Sequence, residues 1–321
     1  MNKDLLLKGL SEFKEQATIV SDTYGGGKFR WMLSMAWCLV RYGSRPIDYV
    51  RFEFHKKSAI ERNRYLTFYR YLRSIRHFGY GLEGVKDKEA EYHTYKEYIR
   101  RDWMLVDKET TPDKIESFIR KNEAVIAKPI KGDMGKGVMK ITDVASEDYQ
   151  TLLCEKEAKT FIVEQLIVNC EELSVINPSS LNTVRATTLI EKDGTSRILS
   201  MILRVGAPGC HVDNWGAGGV GYNFDVETGV CDMPGRDKKN KPYIYHPGSH
   251  VKMLGYELPR YEELKQYVLE LTKVYPEARY VGWDVAITPD GFDLVEMNCP
   301  AGHDMFQSFN NPVYDIMLKN W

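Results

Sequence analysis

The sequence has no long apolar run. No stretch of its 321 residues approaches the ~18 consecutive apolar residues that a membrane-spanning helix needs. The opening segment, MNKDLLLKGLSEFKEQ, is charged throughout and lacks the apolar core and the small-residue cleavage site of a secretory signal. We therefore expect a soluble, cytoplasmic protein without a membrane span.

Paired cysteines and an excess of one charge are also missing. The six cysteines, at positions 38, 154, 170, 210, 231 and 299, form no CxxC pair, which argues against a disulfide framework and a zinc ribbon. The 44 Lys and Arg residues nearly balance the 45 Asp and Glu residues, giving a net charge of -1. This balance removes the usual electrostatic basis for non-specific binding to nucleic acid or membranes. We expect no nucleic-acid partner, and any anionic ligand must be held by a local site.

The residue pattern changes from helical to β-rich along the chain. Up to about Arg100, segments such as Ser58–Phe78 place apolar residues three and four apart, and Glu89–Trp103 has the pattern of a further helix. After Pro112, short β-type runs alternate with glycines and one helix-like stretch, Ser146–Ala158; the runs cover 124–130, 137–141 and 161–168. Longer β-type runs follow from about residue 181. We predict an α+β protein with two or three lobes.

A hairpin near the end of the sequence, VGWDVAIT-PDG-FDLVEMN, is the most informative feature. If Pro289-Asp290-Gly291 forms a three-residue loop, antiparallel pairing places Asp284 directly opposite Glu296. Opposed carboxylates require a cation or a proton between them, and Asn298 points to the same face as Glu296. Such hard oxygen ligands suit a magnesium ion that also binds substrate phosphates. For this hairpin taken alone, an ordinary solvated polar face is the alternative.

A strand lysine and a glycine-rich loop occur in AVIAKPIKGDMGKGV, residues 124–138. Lys128 lies within the β-type run, and the loop behind it contains Lys131, Gly132, Gly135, Lys136 and Gly137. Glycines let backbone N–H groups approach phosphate oxygens, while a strand lysine fixes a positive charge. The loop is not a Walker A motif, because GxxxxGKS/T is absent. A lysine-bearing hairpin without a ligand is the alternative.

Two further patterns supply an acidic linker and two strand arginines. FIVEQLI runs into a linker whose backbone could bind an adenine edge, and Glu171 or Glu172 could accept hydrogen bonds from ribose hydroxyls. Arg185 and Arg204 interrupt β-type apolar runs; an inward arginine keeps its charge and therefore needs an anion such as phosphate or carboxylate. Solvated strand ends and solvated strand faces are the respective alternatives.

The glycine-rich run HVDNWGAGGVG, residues 211–221, is predicted to form a substrate or phosphate loop. Its polar side chains lie beside a backbone that glycines leave accessible. The candidate substrate residues are His211, Asp213, Asn214, Gly218 and Gly219. A plain glycine turn is the alternative.

Taken in order, these motifs resemble the ATP-grasp superfamily, and within it the sugar-transfer-associated ATP-grasp branch. Long runs carry the resemblance, among them INPSSLNTVRATT, VDNWGAGGVGYNFDVETG and FDLVEMNCPAGHDMFQ, and it extends over nearly the whole chain. It implies an ATP-grasp fold in which two α+β lobes enclose a nucleotide. The expected divisions are a helical N-terminal region at 1–105, a small lobe at 106–168 and a large lobe at 169–321.

The resemblance also implies roles for individual residues. Those expected to bind ATP are Lys128 and the loop residues Lys131, Gly132, Gly135, Lys136 and Gly137 at the phosphates, Glu164, Gln165 and Leu166 at adenine, and Glu171 or Glu172 at ribose. Those expected to hold one or two Mg²⁺ ions are Asp284, Glu296 and Asn298. Those expected to stabilise the transferring phosphoryl group or an acyl phosphate are Arg185 and Arg204.

The implied reaction is an ATP- and magnesium-dependent ligation. A carboxylate is activated as an acyl phosphate and attacked by an amine; a sugar acid, an amino acid or a polysaccharide precursor is the candidate carboxylate. A small-molecule phosphotransferase would use the same nucleotide site, and a non-catalytic nucleotide-binding subunit of a glycan pathway is a further alternative. The helical N-terminal region departs from better-known ATP-grasp enzymes, which begin with an α/β domain, so their substrates do not carry over.

Overall fold

The first hundred residues are helical, as predicted. The computed structural model describes residues 3–85, 87–131, 137–207, 215 and 218–321. The helices of the first part are α1 Lys3–Tyr24, α2 Lys28–Tyr42, α3 Pro46–Arg51, α4 Ala59–Asn63, α5 Phe68–Ser74 and α6 Lys88–Thr94, with 3-10 turns at Phe54–Lys56, Ile75–His77 and Glu83–Val85. A helix able to span a bilayer does not occur among the described elements.

Two helices are shorter in the structure than the sequence predicted. The stretch Ser58–Phe78 is broken between α4 and α5, and the helix predicted over Glu89–Trp103 ends at Thr94. Trp103 instead begins a strand, which pairs with a strand about sixty residues later. Because this partner is distant in the sequence, the local apolar spacing could not reveal the pairing.

A small antiparallel sheet follows the N-terminal helices. Its strands are β1 Trp103–Val106, β2 Val125–Pro129, β3 Met139–Ile141 and β4 Phe161–Gln165, in the order β1-β4-β2-β3. Helices α7 Pro112–Asn122 and α8 Glu147–Glu155 pack on it through Ile115, Ile119, Tyr149 and Leu152. Pro112 at the first helical position and the Ser146 cap, which accepts from the Tyr149 N–H at 3.3 Å, start these helices.

A larger antiparallel sheet fills the rest of the chain. Its strands are β5 Thr183–Ile190, β6 Ser196–Val205, β7 Val220–Phe224, β8 Gly235–Arg236, β9 Pro242–Tyr243, β10 Tyr280–Thr288 and β11 Gly291–Asn298, in the order β11-β10-β5-β6-β7-β8-β9. The remaining helices are α9 Glu171–Ser174, α10 Tyr261–Val274 and α11 Tyr314–Lys319, with a 3-10 turn at Phe306–Phe309.

The two faces of the large sheet have different coverings. Helix α10 packs on the face that carries Val184, Met201 and Trp283. Because side chains alternate along a strand, Arg185, Arg204 and Asp284 point to the opposite face. This second face is partly covered by the C-terminal segment, which packs on Leu189, Ile202 and Tyr280.

Arg101 joins the two sheets through a buried network. Its Nε donates to Glu164 on β4 at 2.7 Å, and its Nη1 donates to the carboxylate of Asp293 and, at 2.8 Å, to the carbonyl of Leu294, both on β11. Its Nη2 donates to the Tyr92 hydroxyl of α6 at 2.6 Å. All four side chains in this network are buried. Arg101 therefore fixes the small sheet relative to the edge strand of the large one.

Replacing Arg101 with Met should lower the free energy of unfolding by about 3–5 kcal/mol, because Asp293 and Glu164 would lose their shared buried cation. Urea unfolding near neutral pH measures this loss. Arg120 is the matched control, since it is exposed and pairs only with Glu116 one helical turn away. Arg120→Met should change stability by about 0.5 kcal/mol or less, and equal effects of the two substitutions would contradict the role given to Arg101.

His55 lies in the aromatic core of the N-terminal helices. Its ring centroid is 4.2 Å from that of Tyr24 and 6.1 Å from that of Trp31. Both ring nitrogens are buried and have no hydrogen-bond partner in the part of the chain that the structure describes. Burial, with a contribution from the Lys56 charge, lowers the pKa of His55 from 6.5 to about 4.

The low pKa of His55 predicts a loss of stability on acidification. The unfolded chain takes up this proton below its ordinary pKa of 6.5, whereas the folded protein does so only near pH 4. Stability is therefore fully present above the ordinary pKa and falls by up to about 1.4 kcal/mol per pH unit between the two values. In urea unfolding at about pH 7 and about pH 5, His55→Phe should lose less stability than the wild type. The exposed control His93→Phe should keep the wild-type dependence.

Candidate functional site

Strands β10 and β11 form the predicted hairpin, and Asp284 lies opposite Glu296 as predicted. The predicted three-residue loop is wrong, because Thr288 pairs with Gly291 and leaves a two-residue loop. That shift alone would misalign the carboxylates. A β-bulge beside Asp284 leaves Val295 without a partner and restores the opposition.

A transverse row of charges crosses the sheet at this level. Arg185 on β5 lies opposite Asp284 on the side away from Glu296. Its Nε and Nη2 donate to the two Asp284 oxygens at 2.5 and 2.9 Å, and Arg204 Nη2 lies 3.0 Å from Asp284 Oδ2. Burial alone would raise the pKa of Asp284, but the two guanidinium groups hold it below its ordinary value. Asp284 is thus an ionised carboxylate with two cations beside it.

Gly282 gives Arg185 the space to reach Asp284. A Cβ at position 282 would lie 3.2 Å from Arg185 Cδ, closer than ordinary van der Waals contact. A larger residue there would push the arginine away from the carboxylate. The sequence predicted an anionic partner for an inward-pointing arginine at position 185 or 204. In this structure that anion is the Asp284 carboxylate for both arginines.

The other two candidate ligands lack close partners. The Glu296 side chain is 43% exposed, and among the described residues it pairs with Lys88 Nζ, 4.0 Å from its carboxylate. Asn298 Nδ2 is buried and has no hydrogen-bond partner within the described ranges. An unpaired buried N–H donor costs about 1–3 kcal/mol. Because the unpaired atom is the amide nitrogen, the missing partner is an acceptor, such as a phosphate oxygen of a ligand, and not a metal ion.

The donor chemistry at this edge of the sheet fits magnesium. Asp284, Glu296 and Asn298 offer hard oxygen atoms, and the Glu296 carboxylate is 43% exposed. In the ranges that the structure covers, no three His, Cys, Asp or Glu side chains cluster as metal ligands. A three-ligand magnesium site built from Asp284 and Glu296 therefore needs the amide oxygen of Asn298 as its third ligand.

Glu91 of α6 is a third carboxyl group near this edge, and sequence reasoning missed it. Its Oε1 accepts from the Met297 N–H at 2.7 Å. Burial, followed by the charge of Glu296, raises the pKa of Glu91 to about 8, and the charge of Lys128 acts in the opposite direction. Glu164, which Lys128 contacts, shares Arg101 with the Leu294 carbonyl, so Lys128 lies near β11. No local pattern around Glu91 could have signalled its contact with β11.

Lys128 lies on β2 with its Nζ against the carboxylate of Glu164. Burial would raise the pKa of Glu164, but the charges of Arg101 and Lys128 lower it to about 2. Lys131 is exposed where the loop begins, and Gly137 has a left-handed φ of 74° where the loop ends. The predicted loop residues Gly132, Gly135 and Lys136 lie outside the described residues.

The linker after β4 leaves one backbone donor unpaired. The N–H groups of Gln165 and Leu166 donate to the carbonyls of Asp102 at 2.9 Å and Ala124 at 3.0 Å. The next N–H, that of Ile167, has no partner among the residues the structure describes. The predicted ribose residues Glu171 and Glu172 are both exposed at the start of α9.

The predicted substrate loop is seen only in part. His211, Asp213 and Asn214 lie outside the described residues, whereas Gly218 is exposed and Gly219 is buried. Trp215 is buried, its Nε1 donates to the Arg236 carbonyl at 2.8 Å, and the Arg51 guanidinium lies 5.0 Å from its ring centroid. The N-terminal region, through Arg51 of α3, therefore contacts Trp215. The sequence gave no signal for this contact.

The comparisons with known proteins agree with the motifs. The family model for sugar-transfer associated ATP-grasp proteins matches residues 85–320. No curated protein matches the chain.

Among solved structures, the chain is similar to D-alanyl-alanine synthetase A from Vibrio cholerae, at 14% identity over 72% of this chain and 62% of that one, with a TM-score of 0.46. It is also similar to a D-alanine--D-alanine ligase from Bacillus anthracis, at 13% identity over 73% and 66%, with a TM-score of 0.44. An L-amino acid ligase from Bacillus licheniformis matches at 10% identity over 74% and 48%, with a TM-score of 0.44. The chain thus spans about two thirds or less of these proteins.

Because the family model covers well over half of the sequence, including both sheets and the hairpin, its match decides the assignment. The chain belongs to the sugar-transfer associated ATP-grasp family and has the α+β ATP-grasp fold that its motifs indicated.

Proposed function

We propose that the chain is an ATP- and magnesium-dependent ligase that joins a carboxylate to an amine. The substrate carboxylate attacks the terminal phosphorus of ATP, ADP leaves, and an acyl phosphate forms. The amine then attacks the acyl carbon, the C–O bond to phosphate breaks, and phosphate leaves as the amine loses its proton. An amide, ADP and phosphate result.

The charge row Arg185, Asp284 and Glu296 carries the proposal, and the unpaired N–H donor of Asn298 beside it offers a partner for a phosphate oxygen. Phosphoryl transfer needs positioning and charge neutralisation more than covalent chemistry. Asp284, Glu296 and Asn298 would hold one or two magnesium ions, which neutralise phosphate charge when bound. Arg185 and Arg204 would then turn from Asp284 to the transferring phosphoryl group or the acyl phosphate. This exchange keeps every buried charge compensated.

The nucleotide would lie between the two sheets. Lys128 and Lys131, with the loop that ends at Gly137, would bind the phosphates. Adenine would bind to the linker of Glu164, Gln165 and Leu166, extended to the N–H of Ile167. The contacts would come from the backbone, because the Glu164 carboxylate already pairs with Arg101 and Lys128. Glu171 or Glu172 would bind ribose, and the lobes would span 106–168 and 169–321.

The substrates are proposed to be a small carboxylate and an amine, with a sugar-linked carboxylate supported by the family description. They would contact the loop held by Arg51 and Trp215, which contains His211, Asp213, Asn214, Gly218 and Gly219. This position gives the N-terminal helices a part in substrate selection. A cytoplasmic location follows from the need for ATP.

A screen of ATP turnover against pairs of carboxylates and amines, with products identified by mass spectrometry, tests the proposal. A ligase releases ADP, phosphate and an amide only when both co-substrates are present. A phosphorylated acceptor without free phosphate would instead identify a phosphotransferase. ATP binding without turnover for any pair would favour a non-catalytic subunit.

Replacing Glu296 with Gln should remove magnesium-dependent turnover, with a fall of roughly a hundredfold or more. Folding should stay near normal, because the side chain is 43% exposed and its ion pair with Lys88 spans 4.0 Å. The magnesium-dependent part of ATP affinity, measured by calorimetry, reports the same loss without an acceptor. Glu270→Gln, on the exposed side of α10, is the control; unchanged magnesium dependence in Glu296→Gln would remove Glu296 from the metal site.

Replacing Lys128 with Ala should weaken ATP binding by roughly tenfold to a hundredfold, the value of a hydrogen bond to a charged group. Calorimetry with ATP and magnesium measures the change. The control is Lys140→Ala, an exposed lysine on the neighbouring strand β3. Equal ATP affinity in wild type and Lys128→Ala would exclude Lys128 from the nucleotide site.

A further inference from the structure

Helix α2 has two apolar faces, and only one of them is covered. Met35, Cys38 and Tyr42 are buried in the core of the N-terminal helices. The opposite face carries Phe29, Leu33, Trp37 and Val40, spaced by four, four and three residues, and each is between 57% and 83% exposed. A surface helix normally turns polar side chains to water, so this stripe indicates a binding surface.

The stripe continues onto helix α5. Gly43 caps α2, and its carbonyl accepts from the Tyr69 N–H at 3.1 Å, so the start of α5 adjoins the end of α2. Tyr69 and Leu72 of α5 are both exposed. Together with the α2 stripe they form one surface, here named the α2–α5 face: Phe29, Leu33, Trp37, Val40, Tyr69 and Leu72.

A basic groove borders the α2–α5 face. It has a volume of about 470 Å³ and is lined by Tyr69, Leu72, Arg73, Arg76, His77 and Trp321. Arg73 and Arg76 are both exposed. The groove thus presents two guanidinium groups to an anion.

The charges around this surface have one sign. No acidic residue occurs at positions 23–47, which contain four basic residues, or at positions 62–82, which contain five arginines. Of these, Lys28, Arg30, Arg41, Arg73 and Arg76 have no acidic partner among the described side chains. The near-zero net charge of the whole chain therefore conceals a local basic surface around an apolar centre.

We propose that the α2–α5 face docks this protein on an anionic membrane surface. A surface helix with Trp and Phe on its exposed face and arginines beside them has the composition of an interfacial amphipathic helix. The apolar side chains enter the boundary between headgroups and acyl chains, and Arg73 and Arg76 bind lipid phosphates.

Co-sedimentation of the full chain with lipid vesicles tests the proposal. Binding is expected to vesicles that contain phosphatidylglycerol, to weaken as salt is raised, and to be much weaker with phosphatidylcholine alone. Tryptophan fluorescence should shift to the blue on binding. Failure to bind phosphatidylglycerol vesicles at low salt would overturn the proposal.

Two variants and a control locate the binding surface. Trp37→Ser should reduce vesicle binding by roughly tenfold, and the double variant Arg73→Gln with Arg76→Gln should reduce it by a similar or larger factor and lower the salt dependence. Ile60→Ser is the control, since Ile60 is 80% exposed but lies on α4, outside the α2–α5 face. Equal loss in the control would overturn the assignment, as would unchanged binding in the first two.

Two alternative occupants are separated by further measurements on the same proteins. If the face joins two copies of the chain, sedimentation velocity will show a dimer that Trp37→Ser dissociates, and vesicles will not be bound. If the groove holds free phosphate, inorganic phosphate will raise the melting temperature of the wild type but not of the double arginine variant, again without vesicle binding. Either result would overturn the membrane proposal.

Discussion

The position of the candidate site depends on the buried guanidinium of Arg101. It holds Glu164 of the small sheet and Asp293 of the large sheet at the same time, and a buried ion pair is favourable only when geometry and remaining hydrogen bonds are satisfied. The Tyr92 hydroxyl and the Leu294 carbonyl use its other N–H groups. As a result, Lys128 on one sheet and the end of β11 on the other are kept close together.

Charge compensation explains which carboxylates of the site already pair with a protein cation and which could bind an added one. Asp284 and Glu164 have depressed pKa values because arginine or lysine outweighs the effect of burial. Among the described residues Glu296 has only Lys88, at 4.0 Å, as a cationic partner, and burial followed by the Glu296 charge raises the pKa of the neighbouring Glu91 carboxyl to about 8. An added cation would therefore be stabilised at the Glu296 side of the row, which agrees with the magnesium position in the proposed function.

The N-terminal helices make contacts in two directions. On one side, Arg51 packs on Trp215, and Glu53 pairs with Arg236 at 3.3 Å, so these helices border the loop proposed to bind substrate. On the other side, α2 and α5 present an apolar face with basic borders. One helical unit thus connects a surface suited to lipid headgroups with the neighbourhood of the proposed active site.

The sequence alone determined the α+β class, the family, and the hairpin that carries Asp284 and Glu296, because strand periodicity and long ordered motifs are local properties of the chain. It predicted the hairpin loop wrongly, and a bulge that follows from no local pattern restored the pair. Only the tertiary structure decided that two arginines neutralise Asp284, that Glu91 approaches β11, and that Arg101 joins the sheets. Those contacts join residues up to about two hundred positions apart, and buried charges select such partners in the folded state, where local spacing carries no information.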